Sequence, residues 1–227
     1  MDINVLYEDN HLIIVNKEPG DIVQVDKSMD ESLDEKIKKY IKEKYNKPGQ
    51  VFLGVVHRID RPVSGAVVFA RTSKSLERLN AMFKAGEIDK RYWAIVEQKP
   101  DPLEGKLEHY ILRNEKINKS FAQTSPKQDA KLASLTYHYI NSSDRYHLLE
   151  IELHTGRHHQ IRCQLAAMGW KIKGDLKYGS SRSNPDGSIS LHARSIKFIH
   201  PVQQKEISIV APPPDEVLWN FFTKITL

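Results

Sequence analysis

The sequence predicts an α+β protein with a largely antiparallel sheet, and three observations carry that expectation. Segments of strand character outnumber segments of helical character. Neighbouring strand-like segments are often joined too closely for a helical crossover, which favours antiparallel pairing. With 227 residues, 40% apolar and 28% charged, the chain can bury a sizeable core and has the composition of an ordinary soluble globular protein.

Taken in order, "HLIIVNK" (11–17) is an apolar run of strand length, closed by the turn signal "EPG". "DESLDEKIKKYIKEKY" (30–45) places Leu33, Ile37, Tyr40, Ile41 and Tyr45 at helical spacing, with lysines on the other face. "SGAVVFART" returns to strand character. "TSKSLERLNAMFKAGE" then reads as an amphipathic helix, capped by Thr72 or Ser73, with Leu76, Leu79, Met82 and Phe83 as its buried stripe. Strands are expected over "KRYWAIVEQ" (90–98), "SLTYHYI" (134–140) and "YHLLEIELHT" (146–155), which alternate or favour β-branched and aromatic residues. "HHQIRCQLAAMGW" (158–170) is expected to be helical and to end at Gly169. "SISLHARSIKFIHP" (188–201) and "KEISIVAPPP" complete the strands, and "EVLWNFF" is a short apolar helix. No repeat, low-complexity tract or linker interrupts the chain, so a single domain over 1–227 is expected.

The net charge of +5, from 34 basic and 29 acidic residues, suits a polyanionic partner without demanding one. The lone Cys163 cannot form an internal disulfide, which points to a reducing compartment. "MDINVLYEDNHLIIVNK" lacks the basic-then-apolar order of a secretion signal. No apolar run approaches the ~20 residues of a membrane span. A cytoplasmic protein with no membrane partner is expected. Because no extra apolar segment needs covering, a monomer is expected too.

"HRIDRPVSG" sets one carboxylate, Asp60, among His57, Arg58 and Arg61. An ion pair with Arg58 or Arg61 that fixes the turn is one reading. The other is a reactive group, because neighbouring cations favour the ionised form and an aimed, desolvated carboxylate can act at a sugar carbon. Pro62 and Gly65 punctuate a rigid turn, where functional groups are often presented. A second dense cluster is "LHTGRHHQIRCQLA" (153–166). Thr155-Gly156 reads as a turn with Arg157 opening a helix, which would set Arg162 over His158 on one face. The histidines His154, His158 and His159 invite a metal, but two adjacent helical histidines diverge by about 100°. The arginines would repel a cation, and no HExxH motif or paired cysteines are present. An anion suits Arg157 and Arg162 better, either phosphate or a carboxylate from elsewhere in the fold. Cys163 reads as a small core residue beside Leu165 and Ala166. In "KRYWAIV", Tyr92 is either packing or a ring that stacks under a nucleobase while its hydroxyl handles a proton.

"HRIDRPVSGAVVFART", "KRYWAIV", "TGRHHQIRCQLAAMGWKIKGDLKYG" and "LHARSIKFIHP" follow the order and approximate spacing of the RluA-type pseudouridine synthases, and "LYEDNHLIIVNKEPG" resembles that family's first strand and loop. The likeness runs from about Val5 to about Pro212. It implies a mixed, mainly antiparallel sheet with flanking helices and a central catalytic cleft. It also implies isomerisation of uridine in structured RNA, either rRNA or tRNA, to pseudouridine, with no cofactor and no metal. By position, Asp60 matches the catalytic aspartate, and Arg58 matches the arginine that helps to flip the target nucleotide or fill its place. Tyr92 matches the tyrosine that stacks on uracil and is a candidate for proton removal. Arg162 matches the arginine expected to pair with the catalytic carboxylate. Ile161 matches an apolar residue that packs on the base. Arg157 becomes an RNA or structural contact, and His159 is grouped with these RNA-binding positions.

The chain departs from the family pattern at "NKEPG" and in the following "DIVQVDK", and no role is carried into that loop. Val63 and His158 stand where threonine, or threonine or serine, is common. No room is expected before Val5 for an S4-type RNA-binding domain. Substrate selection would then fall to the catalytic domain, with Lys38, Lys39 and Lys42 of the lysine-rich stretch as candidate contacts. Two competitors remain: an RNA-binding relative that has lost catalysis, and a glycoside hydrolase using Asp60. The second usually needs two carboxylates, and the motif blocks offer no convincing partner.

Overall fold

The computed structural model describes residues 3–25 and 30–226. In chain order the elements begin β1 (Val5–Glu8), β2 (Leu12–Lys17), α1 (Leu33–Lys44), β3 (Gly54–Val55), β4 (Ser64–Ala70), α2 (Ser73–Ala85), β5 (Asp89–Val96), β6 (Glu104–Asn114) and β7 (Lys119–Gln123). They continue with β8 (Lys131–Ser142), β9 (His147–Leu153), α3 (Gln160–Ala167), a 3-10 turn at Leu176–Tyr178, β10 (Leu191–Ile199), β11 (Glu206–Val210) and α4 (Val217–Thr226). The class is the expected α+β, with a mixed, mostly antiparallel sheet and, among the described residues, four helices. The chain forms two compact units, one of Met1–Asp89 with Ala193–Pro212 and one of Lys90–His192 with Pro213–Leu227.

In the first unit the strand order is β1-β2-β4-β10, with β3 on β4 and β11 on β10. β2 is buried along its whole length because both faces are covered. Leu12 and Ile14 join Ala66, Val68 and Leu79 of α2 on one side. Ile13 and Val15 join Val67, Phe69 and the Leu33, Ile37 and Ile41 stripe of α1 on the other. This two-sided burial explains why "LIIV" is continuously apolar rather than alternating. At α2 the Thr72 hydroxyl accepts the Ser75 N–H at 3.2 Å, a cap the sequence anticipates.

The second unit has the order β5-β9-β8-β6-β7, with every described pair antiparallel. Side chains alternate across it. Trp93 and Ile95 of β5 pack with Leu148 and with Trp219 and Phe222 of α4, which leaves Tyr92 on the opposite face. Ile111 and Ala133 pack with Cys163 of α3 and with Tyr178. The β6–β7 hairpin was not anticipated, because the exposed Glu104, Lys106, Glu108 and Arg113 of "EGKLEHYILRN" mask an alternation of Leu107, His109 and Ile111.

One helix expectation needs correcting. The helix placed at 158–170 begins only at Gln160, because His159 adopts φ 51° and cannot extend it. Arg157 therefore lies in the preceding turn and opens no helix, and His158 does not share a helical face with Arg162. Instead of diverging, the His158 and His159 rings stack at 3.8 Å.

Candidate active site

Asp60 and Arg58 belong to the first unit, and Tyr92, Arg157, His159, Ile161 and Arg162 to the second. Asp60 sits half-buried on a tight turn between β3 and β4, closed by the Val63 N–H on the Asp60 carbonyl at 3.0 Å. Upstream, the His57 ring stacks on Phe83 of α2 at 4.8 Å, so the turn enters from a fixed point. Downstream, Gly65 has φ +116°, and a Cβ there would lie 2.4 Å from the Ala193 carbonyl oxygen. Only glycine permits this approach of β4 to β10. Arg58 is exposed, while Arg61 reaches Asp30 at 2.8 Å across an exposed pair.

Below the turn lies a residue the sequence reading passed over. The Lys17 side chain at the end of β2 is 0% exposed. Its ammonium donates to the carbonyls of Glu18 at 2.8 Å, Asp21 at 2.8 Å and Arg61 at 3.1 Å. The Gly20 N–H also donates to the Arg61 carbonyl, at 2.9 Å. The "KEPGD" loop and the Asp60 turn are thus laced together through one buried cation. Burial pushes the Lys17 ammonium down to about 8, against the opposing attraction of Asp21, Asp60 and Glu18. Of the variant loop "DIVQVDK", Asp26 and Lys27 lie outside the described residues.

In the second unit Tyr92 is buried on β5, opposite Ile151 of β9. The "TGR" turn is organised by Gln160, whose Oε1 accepts the Thr155 hydroxyl at 2.7 Å and the Arg157 N–H at 3.0 Å. Its Nε2 donates to the Ser134 carbonyl at 3.1 Å. Arg157 is exposed and donates to the Leu132 carbonyl at 3.2 Å. Ile161 is buried in the first turn of α3.

Arg162 is 5% exposed and Asp175 1%. The guanidinium donates twice to that carboxylate, Nε at 2.7 Å and Nη2 at 2.9 Å. This is the two-point geometry that suits arginine. The Tyr178 ring lies 5.0 Å from the guanidinium carbon. The Tyr178 hydroxyl accepts the Ser120 N–H at 2.8 Å and bonds His159 Nδ1 at 2.9 Å. Burial pushes this hydroxyl above its ordinary value, so it stays a neutral donor and acceptor. Within its own unit, Asp175 is thus one carboxylate that Arg162 meets.

Asp175, Tyr178, Gln160 and Lys17 are what sequence reasoning missed. "GDLKYG" carried a readable signal: Gly174 at φ +87° and Gly179 at φ +99° bracket the aspartate and tyrosine. Lys17 carried none, since a lysine closing a strand ordinarily faces water. Cys163 is the buried core residue expected, with Sγ 3.3 Å from the Gln160 carbonyl. Among the described residues no three His, Cys, Asp or Glu side chains group to hold a metal, and no helix is long and apolar enough to cross a membrane.

The family model for RNA pseudouridylate synthase matches residues 11–167, and the chain belongs to that family of isomerases. The chain is 31% identical over 225 residues to the ribosomal large subunit pseudouridine synthase D of Zymomonas mobilis, covering 95% of this chain and 70% of that one. It is also 31% identical to the tRNA pseudouridine synthase C of Vibrio vulnificus, covering 98% and 95%. The solved structure of human RNA pseudouridylate synthase domain containing 4 shares the fold, with TM-score 0.80 and 21% identity over 96% of this chain and 92% of that one.

Proposed function

We propose that this protein converts specific uridines of structured rRNA or tRNA to pseudouridine, with Asp60 as the catalytic carboxylate. The observation that carries this reading is the family match over residues 11–167, which contains Asp60, Tyr92 and Arg162 together with the buried apparatus that fixes the Asp60 turn. The reaction breaks the C1′–N1 bond, turns the uracil and forms a C1′–C5 bond. The C5 proton leaves and N1 gains one, so no external reagent enters. Asp60 either attacks C1′ to form a sugar ester or takes the C2′ proton to give a glycal. Tyr92 stacks on the uracil and receives the departing proton, Arg162 supplies the positive charge that serves the carboxylate, and Ile161 packs on the base. The target nucleotide must leave its stack first, a step assigned to Arg58. Exposed cations such as Arg157, with His159 behind it, hold the RNA backbone and make binding salt-dependent. In this reading both units form one catalytic domain that works as a cytoplasmic monomer.

The lysine-rich helix contributes less to this reading than its composition promises. Lys38 is paired with Asp34 at 3.0 Å and Lys39 with Glu31. Lys42 is exposed.

Incubation with rRNA and tRNA pools tritiated at uridine C5 tests the proposal. Turnover must release tritium to water, and mapping pseudouridines with and without the protein then identifies the site. RNA binding without tritium release from either pool would instead favour an RNA-binding relative without catalysis. Tyr92→Phe keeps the ring and removes the hydroxyl; full activity in that variant would remove proton transfer from this tyrosine's role.

A further inference from the structure

Lysine is rarely buried completely, and when it is, a carboxylate usually meets it. The ammonium of Lys17 instead ends on three main-chain carbonyls, those of Glu18, Asp21 and Arg61. The charged groups that face it are the carboxylates of Asp21, Asp60 and Glu18 and the guanidinium of Arg61. Asp21 also holds Lys36 at 2.6 Å, so its charge is shared. Lys17 pairs in register with Gly65 of β4, the strand into which the Asp60 turn runs.

We propose that Lys17 is a positioning residue for Asp60: in its protonated state it holds the Asp60 turn and keeps a fixed positive charge beside the carboxylate, and loss of that proton switches turnover off. The inference rests on the catalytic role proposed for Asp60. An ammonium has three N–H donors for its three carbonyls. A neutral amine has two, and its lone pair then faces a carbonyl oxygen. The Arg61 carbonyl, one residue past Asp60 and the longest of the three contacts, keeps the Gly20 N–H and is the bond the lysine gives up. The turn loosens while the surrounding sheet stays whole. Because burial already holds this ammonium near 8, the change falls where the protein is still folded.

The test is kcat against pH on a short tritiated RNA that the protein turns over at neutral pH. The expected result is a fall of about tenfold per unit above pH 8, with KM changed less than about twofold and the circular dichroism spectrum unchanged. Lys17→Arg, charged throughout, is expected to lose that break even if its rate is lower. A rate flat to about pH 9.5 in folded wild-type protein would overturn the proposal, as would an identical break in Lys17→Arg. A second measurement needs no turnover: an NMR titration of 13Cε-labelled lysines, with Lys17 assigned by its loss in Lys17→Arg. Removing the Asp60 charge in Asp60→Asn should lower the Lys17 midpoint, and an unmoved midpoint would overturn the coupling. A protein that shows this coupling but turns over no RNA would defeat the functional reading and leave the Lys17–Asp60 interaction established.

Discussion

Lys17 in the first unit and Arg162 in the second are both buried cations, and the chain holds them by opposite means. Lys17 donates to three neutral carbonyls and feels the charges of Asp21, Asp60 and Glu18. Arg162 is gripped at two points by the buried carboxylate of Asp175 and faced by the Tyr178 ring. A guanidinium keeps its charge at any pH a protein survives, and its planar fork matches a carboxylate. An ammonium held by carbonyls stays titratable. The second unit therefore holds a permanent charge and the first a conditional one, so pH should reach the active site through Lys17 and not through Arg162.

The largest effect should come from breaking the buried pair. Asp175→Asn takes the two-point carboxylate away from the buried guanidinium and is expected to cost about 3 kcal/mol in urea unfolding. The double variant Arg162→Met with Asp175→Leu should regain most of that stability, because two charges are removed together. It should remain inactive, which separates the pair's catalytic use from its contribution to the fold.

Lys17→Met should cost less, no more than about 2 kcal/mol. The Glu18 and Asp21 carbonyls lose their donor, but the cost of burying an ammonium, on the order of 3 kcal/mol from the fall of 10.5 to about 8, disappears with it. The sign is specific. With its folded value lowered, the unfolded chain binds more protons between about pH 8 and 10.5. The Lys17 contribution to stability therefore rises with pH over that window, while activity falls. Urea midpoints of wild type and Lys17→Met across those pH values measure the difference. Activity and stability falling together would reduce Lys17 to a packing residue.

Tyr178→Phe keeps the ring over Arg162 and removes the hydroxyl that serves Ser120 and His159. A loss of about 1–2 kcal/mol is expected, with faster hydrogen exchange at the Ser120 amide. The smallest effect concerns His109, buried on β6, with its Nδ1 accepting the Gln164 amide at 3.1 Å. Burial lowers its proton affinity. The unfolded chain then binds more protons below about pH 6.5, and stability falls on acidification. His109→Gln should remove that slope.

Much of this architecture was legible because it rests on local pattern. The "LIIV" strand, the Thr72 cap and the α1 stripe each announce themselves within a dozen residues. The start of α3 did not, because nothing in "GRHHQ" says that His159 will take a left-handed backbone; tertiary partners on Tyr178 and the stacked His158 hold it there. In the candidate site, the acid among bases at Asp60 stood out as a contrast of charge. Asp175 and Lys17 were hidden for the converse reason: Asp175 meets Arg162 of α3, 13 residues earlier, and one of the three Lys17 carbonyls, that of Arg61, lies 44 residues on. From the residues alone, Arg58 or Arg61 could pair with Asp60, and the family resemblance pointed to Arg162 instead. The structure turns Arg61 outward to Asp30 and uses its carbonyl, not its charge, to hold the turn.

The central claim is that the Asp60 carboxylate carries the chemistry and the basic residues around it do not. Its most direct test is tritium release from one C5-tritiated RNA by wild type and by Asp60→Asn, with RNA affinity and urea stability measured on the same samples. The account predicts no release from Asp60→Asn above background, with binding and folding close to wild type. Release at the wild-type rate would contradict it, and so would a variant that fails only because it no longer folds.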